Sequence, residues 1–295
     1  MKHSPKISVV TPSFNQARFL EQTIRSVLDQ HYPNLEYIVM DGGSTDQSVE
    51  IIRKHERHLA HWVSEKDNGQ ADAIYRGFER STGEILAWIN SDDYYLPHAF
   101  EAILSVFHKH RDAELVIGGY VTVDENSAVL QKHPSFVQDH ESLLVWGQRT
   151  PQMGSFWLRK AFFDVGGFDR SLKFAFDYDL LLRLTKRRNP LRCNAYLAAF
   201  RSHDDSKSST IWETVGLPEV ETLQRLHGVQ GYGPAERSRI RRRSELQYAT
   251  IQLRLLENIA RRPLDYGRAV IQVLKCLARS IPWLMYVRSL LVRRK

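Results

Sequence analysis

Two cysteines in 295 residues, Cys193 and Cys276, are too few and too far apart for a disulfide framework or a zinc site. A reducing compartment fits. No apolar run has the length of a bilayer span. The strongest, residues 269–292, is broken by Lys275, Arg279, Pro282 and Arg288. The opening residues are polar, and the stretch Ile7 to Thr11 is too short for the core of a secretory leader. Neither a G-x-G-x-x-G turn nor a P-loop occurs, which argues against a Rossmann cofactor and an ATP cradle. Internal repeats and long low-complexity tracts are missing too. What remains is an ordinary globular composition, 42% hydrophobic and 25% charged, long enough for one large domain or a core with an appendage.

The net charge of +7 is unevenly placed. Residues 236–295 hold 15 Lys and Arg against 4 Asp and Glu, a net +11, which leaves −4 for the rest. The basic character therefore belongs to the C-terminal fifth. A basic tail seeks phosphate, on anionic lipid or on nucleic acid.

The first half alternates β-rich runs with helical patterns. Strands are expected at residues 7–10, 35–40, 61–64 and 84–89, and helices at 19–30, 48–55 and 70–80. This rhythm predicts an α/β fold, a mostly parallel sheet covered by helices. Beyond Pro97 the rhythm loosens. A helix is expected at 99–107, strands at 115–123, 156–158 and 196–201, and a further helix from Asp177 to Thr185. From Ser206 the composition shifts to Ser, Arg and helix formers. The expected division is therefore a catalytic domain over 1–207 and a basic helical region over 208–295.

Open sheets of this kind bind ligands beyond the carboxyl ends of their strands. The four segments there are Thr11-Pro12-Ser13-Phe14-Asn15, Asp41-Gly42-Gly43-Ser44-Thr45-Asp46, Glu65-Lys66-Asp67-Asn68-Gly69-Gln70 and Asn90-Ser91-Asp92-Asp93. Each alone reads as turn chemistry. Four in succession at one sheet edge read as a site. A carboxylate after the second strand can accept from ribose hydroxyls or a base N–H, and Gly42-Gly43 lets the backbone approach a ligand. Asp92 and Asp93 offer hard oxygen ligands of the kind Mg²⁺ or Mn²⁺ takes while also binding phosphates. An N-cap role does not explain both, because Tyr94-Tyr95-Leu96-Pro97 separates them from the next helix.

These segments resemble the inverting glycosyltransferases of family 2, which have the GT-A fold. The resemblance runs from the first strand through Asp67-Asn68-Gly69-Gln70-Ala71-Asp72-Ala73, Thr82-Gly83-Glu84-Ile85 and Asn90-Ser91-Asp92-Asp93. It closes on Gly166-Gly167-Phe168-Asp169 and Asp177-Tyr178-Asp179-Leu180-Leu181-Leu182-Arg183-Leu184. It covers roughly residues 5–205, and the ordered set is far more specific than any member. It implies that Thr11, Pro12, Asn15, Asp41, Gly42, Asp67, Gln70, Asn90 and Ser91 hold a nucleotide-diphosphate sugar, with a UDP-sugar the family habit. It implies Asp92 as metal ligand for Mn²⁺ or Mg²⁺, with Asp93 auxiliary, and Asp177 as catalytic base. Asp179 becomes a structural partner capping the helix that carries Arg183. Arg201-Ser202-His203 resembles a late family motif in which a His approaches metal or diphosphate, which makes His203 a third metal candidate. The chain departs from the family twice: Asn90 replaces the first Asp of the Asp-x-Asp motif, and Phe176 stands where Glu often precedes the base.

The expected reaction is transfer of a hexosyl or N-acetylhexosaminyl group to a hydroxyl of a glycan or lipid-linked acceptor. The rivals are a nucleotide-sugar-binding protein without transfer activity and a metal-dependent nucleotidyltransferase. The second would ordinarily show a Gly-rich basic loop after the first strand, which this chain lacks. Val270, Val273, Leu274 and Leu277 share one helix face in the tail, with Arg and Lys interspersed. That pattern fits a helix on an anionic membrane surface and equally a helix packed on the core. No nucleic-acid motif accompanies the basic residues, and no nucleic-acid partner is expected. The location expected is cytoplasmic, with peripheral attachment at the inner face of the membrane if the tail binds lipid.

Overall fold

A computed structural model describes residues 4–149 and 152–259. The chain forms two compact units, Met1–Gly231 and Tyr232–Lys295. In order, the first contains β1 (Ile7–Ser13), α1 (Ala17–Leu28), β2 (Leu35–Asp41), α2 (Ser48–His55), β3 (His61–Ser64), α3 (Gln70–Arg80) and β4 (Ile85–Trp88). There follow β5 (Tyr94–Tyr95), α4 (Ala99–Lys109), β6 (Leu115–Val123), β7 (Val129–His133), α5 (His140–Trp146), β8 (Ser155–Leu158) and α6 (Arg159–Asp164). The unit closes with α7 (Phe176–Arg187), β9 (Leu191–Arg201), α8 (Lys207–Thr210), a π-helical turn at Trp212–Gly216 and α9 (Leu217–Leu226). The described part of the second unit is one helix, α10 (Pro234–Ile259), which contains the Arg241-Arg242-Arg243 cluster. The tail helix expected over residues 263–295 lies outside the described residues.

One sheet runs β3-β2-β1-β4-β8-β6-β9-β5, with β7 added on β6. The pairs β1–β2, β2–β3, β1–β4 and β6–β9 are parallel; those of β8 with β4 and β6, of β5 with β9 and of β7 with β6 are antiparallel. This is the mostly parallel α/β sheet that the first-half rhythm predicts. All seven residues of β1 are buried, as expected of a strand covered on both faces. Leu20, Ile24 and Val27 of α1 share a core cluster with Ile7 and Val9 of β1, and α3 packs on β1 with Ile74 and Phe78 buried. Gly77 makes the approach of α3 possible, since a Cβ there would sit 2.7 Å from Val10.

The chain leaves β1 toward β2 and β3 on one side and returns to β4 on the other. This reversal opens a crevice beyond the carboxyl ends of β1 and β4. Pro12 sits in the central strand without breaking it. Val10 pairs with Trp88 and accepts from Ile89, so the face of β1 at Pro12 points past the end of β4, where no ladder bond is required. Beneath the crevice lies an aromatic cluster. Trp88 and Trp157 stack at 4.8 Å, and Phe168 and Phe176 lie 5.1 Å apart with Phe168 edge-on to Trp88. Phe176 thus fills an interior position, a packing reason for the absence of Glu before Asp177.

Candidate active site

The first two strand-end loops are knitted together. Asn15 adopts a left-handed backbone, φ 51°, and its amide donates to Ser44 Oγ at 2.8 Å while its Oδ1 accepts from the Thr45 amide at 2.8 Å. Asp46 accepts from the first amides of two helices, Ala17 of α1 and Ser48 of α2, both at 2.9 Å. Burial raises its pKa, but the Ser48 hydroxyl and these amides outweigh it and hold the carboxyl low. Asp41 is buried, and one oxygen accepts from the Gly43 and Ser44 amides and the Ser64 hydroxyl while the other accepts from Ser44 Oγ. Its carboxylate shapes the loop from within. Thr11 is also interior, with its hydroxyl on Tyr37 at 3.0 Å. Phe14, by contrast, is 61% exposed and presents an aromatic face beside these loops.

The third loop closes against the second. A Cβ on Gly42 would lie 2.9 Å from an Asp67 carboxylate oxygen, so a side chain there would push that carboxylate aside. Asp67 accepts from the Gly69 amide at 2.8 Å. From the start of α3, Gln70 Nε2 donates to Asn90 Oδ1 at 2.7 Å, and Asn90 Nδ2 donates to Gln152 Oε1 at 3.3 Å. Asn90 uses both ends of its amide. An Asp could not donate to Gln152, which gives the first departure from the family motif a structural reason.

The Asn90–Asp93 turn is held from two sides. Thr23 of α1 donates its hydroxyl to the carbonyls of Ser91 and Asp93. Arg201, only 1% exposed at the end of β9, donates to the carbonyls of Asp92, Asp124 and Glu125 and to Gln22, with its guanidinium over the Phe19 ring. The three expected metal residues do not converge as a set. Asp93 is 1% exposed and its Oδ1 accepts from the Arg201 amide at 2.9 Å. Burial, with the neighbouring Asp92 charge, pushes its pKa well up. Asp92 and His203 do meet, Oδ2 to Nε2 at 3.0 Å. The hydrogen bond to Asp92 raises the His203 pKa against the opposing effect of burial. Among the described residues no group of three or more His, Cys, Asp or Glu is arranged to hold a metal. The pair alone still fits Mg²⁺ or Mn²⁺. Two adjacent ligands of an octahedral ion at about 2.1 Å lie about 3 Å apart, and such ions complete their shell with phosphate and water.

Asp177 stands in the first turn of α7. Its Oδ2 accepts from Gln148 Nε2 at 3.0 Å and its Oδ1 from the Tyr178 amide at 2.8 Å. Burial raises its pKa, opposed by these donors and by the charge of Lys207. Asp179 corrects an expectation. It is no cap, since α7 has no side-chain cap at Ala175. Instead it pairs with Arg183 at 2.5 Å and with His227 at 3.3 Å, while Arg183 also donates to the carbonyls of Val165 and Gly167. The helix of Asp177 and the Gly166-Gly167-Phe168 turn are thereby tied together.

Lys207 was not singled out by sequence, where it is one basic residue in a Ser-rich run. Its Nζ donates to Gln70 Oε1 at 2.8 Å and to the Lys173 carbonyl at 3.2 Å. Burial lowers its pKa, while Glu219, Asp67, Asp177 and Asp92 all pull the other way. Its two hydrogen bonds link the end of the third strand-end loop to the segment that leads into the helix of Asp177. Arg201 was equally missed as the organiser of the Asp92 turn.

The model of the family described as glycosyl transferase family 2 matches residues 8–178. An uncharacterized glycosyltransferase of Rickettsia typhi is 28% identical over 233 residues, covering 75% of this chain and 71% of that protein. The putative teichuronic acid biosynthesis glycosyltransferase TuaG of Bacillus subtilis is 33% identical over 144 residues, covering 47% of this chain and 55% of that protein. Among solved structures, S. aureus TarS residues 1–349 in complex with UDP-GlcNAc is similar in fold, with a TM-score of 0.63 and 16% identity, covering 96% of this chain and 87% of that one.

Proposed function

Since the chain belongs to glycosyl transferase family 2 and is a glycosyltransferase of GT-A fold, we propose that it transfers a sugar, with inversion, from a nucleotide-diphosphate sugar to a hydroxyl of a glycan or lipid-linked acceptor. The observation that carries this reading is Lys207, whose Nζ bridges Gln70 at the end of the third strand-end loop and the Lys173 carbonyl in the segment that leads into the helix of Asp177. The nucleotide lies over Thr11, Pro12, Asn15, Asp41, Gly42 and Asp67, with the main chain of these knitted loops and the exposed Phe14 ring as its surface. Gln70, Asn90 and Ser91 face the sugar-diphosphate end. A UDP-sugar is the favoured donor, supported by the fold shared with TarS, which was solved with UDP-GlcNAc. The likeness to TuaG, named for teichuronic acid biosynthesis, supports a polysaccharide as acceptor. The substrate-contacting residues lie within 1–207, and the excess of basic residues lies beyond them, in 236–295.

In the transfer, Asp177 takes the proton of the acceptor hydroxyl as that oxygen bonds to the anomeric carbon. The bond from that carbon to the diphosphate oxygen breaks on the opposite face, and its electron pair leaves with the nucleoside diphosphate. Gln148 orients Asp177, and Lys207 meets the charge gathering on the leaving group. Asp92 and His203 would hold Mn²⁺ or Mg²⁺, which neutralises diphosphate charge when bound.

A thermal-shift screen of nucleoside diphosphates with Mn²⁺ or Mg²⁺ tests the donor site: a shift confined to one base is expected, and none with any base sinks the reading. For the chemistry, Asp177→Asn should lower kcat by about 10²- to 10⁴-fold while nucleotide affinity stays within twofold. Near-normal turnover in a folded variant removes Asp177 from its role.

A further inference from the structure

The segment that delivers Asp177 is gripped from outside the stretch matched by the family model. Glu219, half-buried in the first turn of α9, accepts from three consecutive amides: Lys173 at 2.8 Å, Phe174 at 2.9 Å and Ala175 at 2.8 Å. Ala175 is the residue immediately before α7, and the helix has no side-chain cap of its own there. The two carboxylates of its first turn are otherwise engaged, Asp177 with Gln148 and Asp179 with Arg183 and His227. Three successive amides form an anion-binding concavity, and here a side chain of the same chain fills it. The same peptide is held at its other end by Lys207, which donates to the Lys173 carbonyl. Packing adds to the grip. The Phe174 and Trp212 rings lie 5.4 Å apart, and Gly216 fits so closely that a Cβ there would lie 2.7 Å from Trp212 and 2.9 Å from Phe174.

We propose that Glu219 is a positioning residue for the base: by holding the amides of 173–175 it sets where α7 begins, and hence where the Asp177 carboxylate meets the acceptor hydroxyl. This rests on the reading of Asp177 as the base. A base displaced by about 1 Å can lose on the order of 100-fold in rate, so the grip matters to chemistry even though Glu219 touches no substrate. Gln cannot replace it. It keeps one acceptor oxygen, and its NH₂ would face the amide donors. Asp keeps the anion and both oxygens, one methylene shorter.

The test uses the full chain with Glu219→Gln, Glu219→Asp and Asp177→Asn. Three things are measured: amide hydrogen exchange, UDP titration, and UDP release from UDP-GlcNAc in Mn²⁺ with water as acceptor. For Glu219→Gln, exchange at residues 173–178 should rise at least tenfold while α1 and α3 are unchanged. Its kcat should fall about tenfold or more with donor KM within twofold, and Glu219→Asp should recover most of both losses. Unchanged exchange at 173–178 overturns the proposal whether or not UDP-GlcNAc is turned over. An unchanged kcat, or a rise in exchange spread over the whole unit, also overturns it, the latter marking a general staple. Persistent turnover by Asp177→Asn instead defeats the base assignment, and the exchange result then stands by itself.

Discussion

Burial lifts the Asp177 carboxyl above the ordinary aspartate range, and the Gln148 and main-chain donors only partly offset it. A general base acts ionised. Its ionised fraction falls as pH drops through its pKa, so a raised pKa moves the loss of activity to higher pH. The acid limb of kcat/KM for donor turnover should lie above about 3.9, the ordinary aspartate value. A limb at or below that value contradicts the assignment. Arg201 predicts a different kind of failure. Replacing it by Met removes the donor to the half-buried carbonyls of Asp92, Asp124 and Glu125. A fully buried group left unpaired costs about 1–3 kcal/mol, and half-burial lowers that for each of them, so urea unfolding should show a combined loss of about 2 kcal/mol or more. A loss under about 1 kcal/mol would show that water or other donors replace the guanidinium. At this scale the sequence shows which residues carry chemistry but not which way they face. Thr11, Asp41 and Asp93 look like ligands in one dimension, yet the Thr11 hydroxyl and the Asp41 carboxylate bond within their own chain, and Asp93 is buried with one oxygen on the Arg201 amide.

Among the elements, legibility follows periodicity. The strands and helices up to β4 alternate in patterns of 2 and 3.6, and the structure places them within a few residues of expectation. β5, just before Pro97, and β7, α5 and α6 beyond it are short and carry no sustained pattern, and the sequence does not announce them. Lys207 and Glu219 enter the site through exactly such segments, where only the returning chain supplies the neighbour. A close contact between elements yields a sharp prediction. Gly77→Ala places a methyl 2.7 Å from Val10, a core residue of the central strand. Overpacking of this kind costs about 1–3 kcal/mol. The loss should appear in unfolding midpoints, and nucleotide affinity should fall with it, because Val10 leads directly into Thr11 and Pro12. A neutral outcome would mean that α3 can shift outward freely.

For the whole molecule, charge separation is the leading feature. Residues 260–295 carry nine Lys and Arg against one Asp. Basic residues near an anionic surface contribute about 1 kcal/mol each at modest salt. Among the described residues no helix is long and apolar enough to cross a membrane. The full chain should therefore float with phosphatidylglycerol vesicles at low salt, release at high salt, and lose binding when residues 263–295 are removed. Flotation that persists without the tail, or fails at low salt, refutes a lipid role. An acceptor held at a membrane would suit such an arrangement.

The sequence by itself determined the α/β layering, the family, and the four strand ends that carry polar and acidic groups, because alternation of apolar residues and turn chemistry are local properties. Tertiary structure decided what those groups can do. It buried Asp93 on the Arg201 amide, set His203 against Asp92, put Phe176 into an aromatic cluster, and brought Lys207 and Glu219 back from beyond the matched stretch. The physical reason is that orientation and burial depend on neighbours distant in sequence, and only folding brings those neighbours into reach.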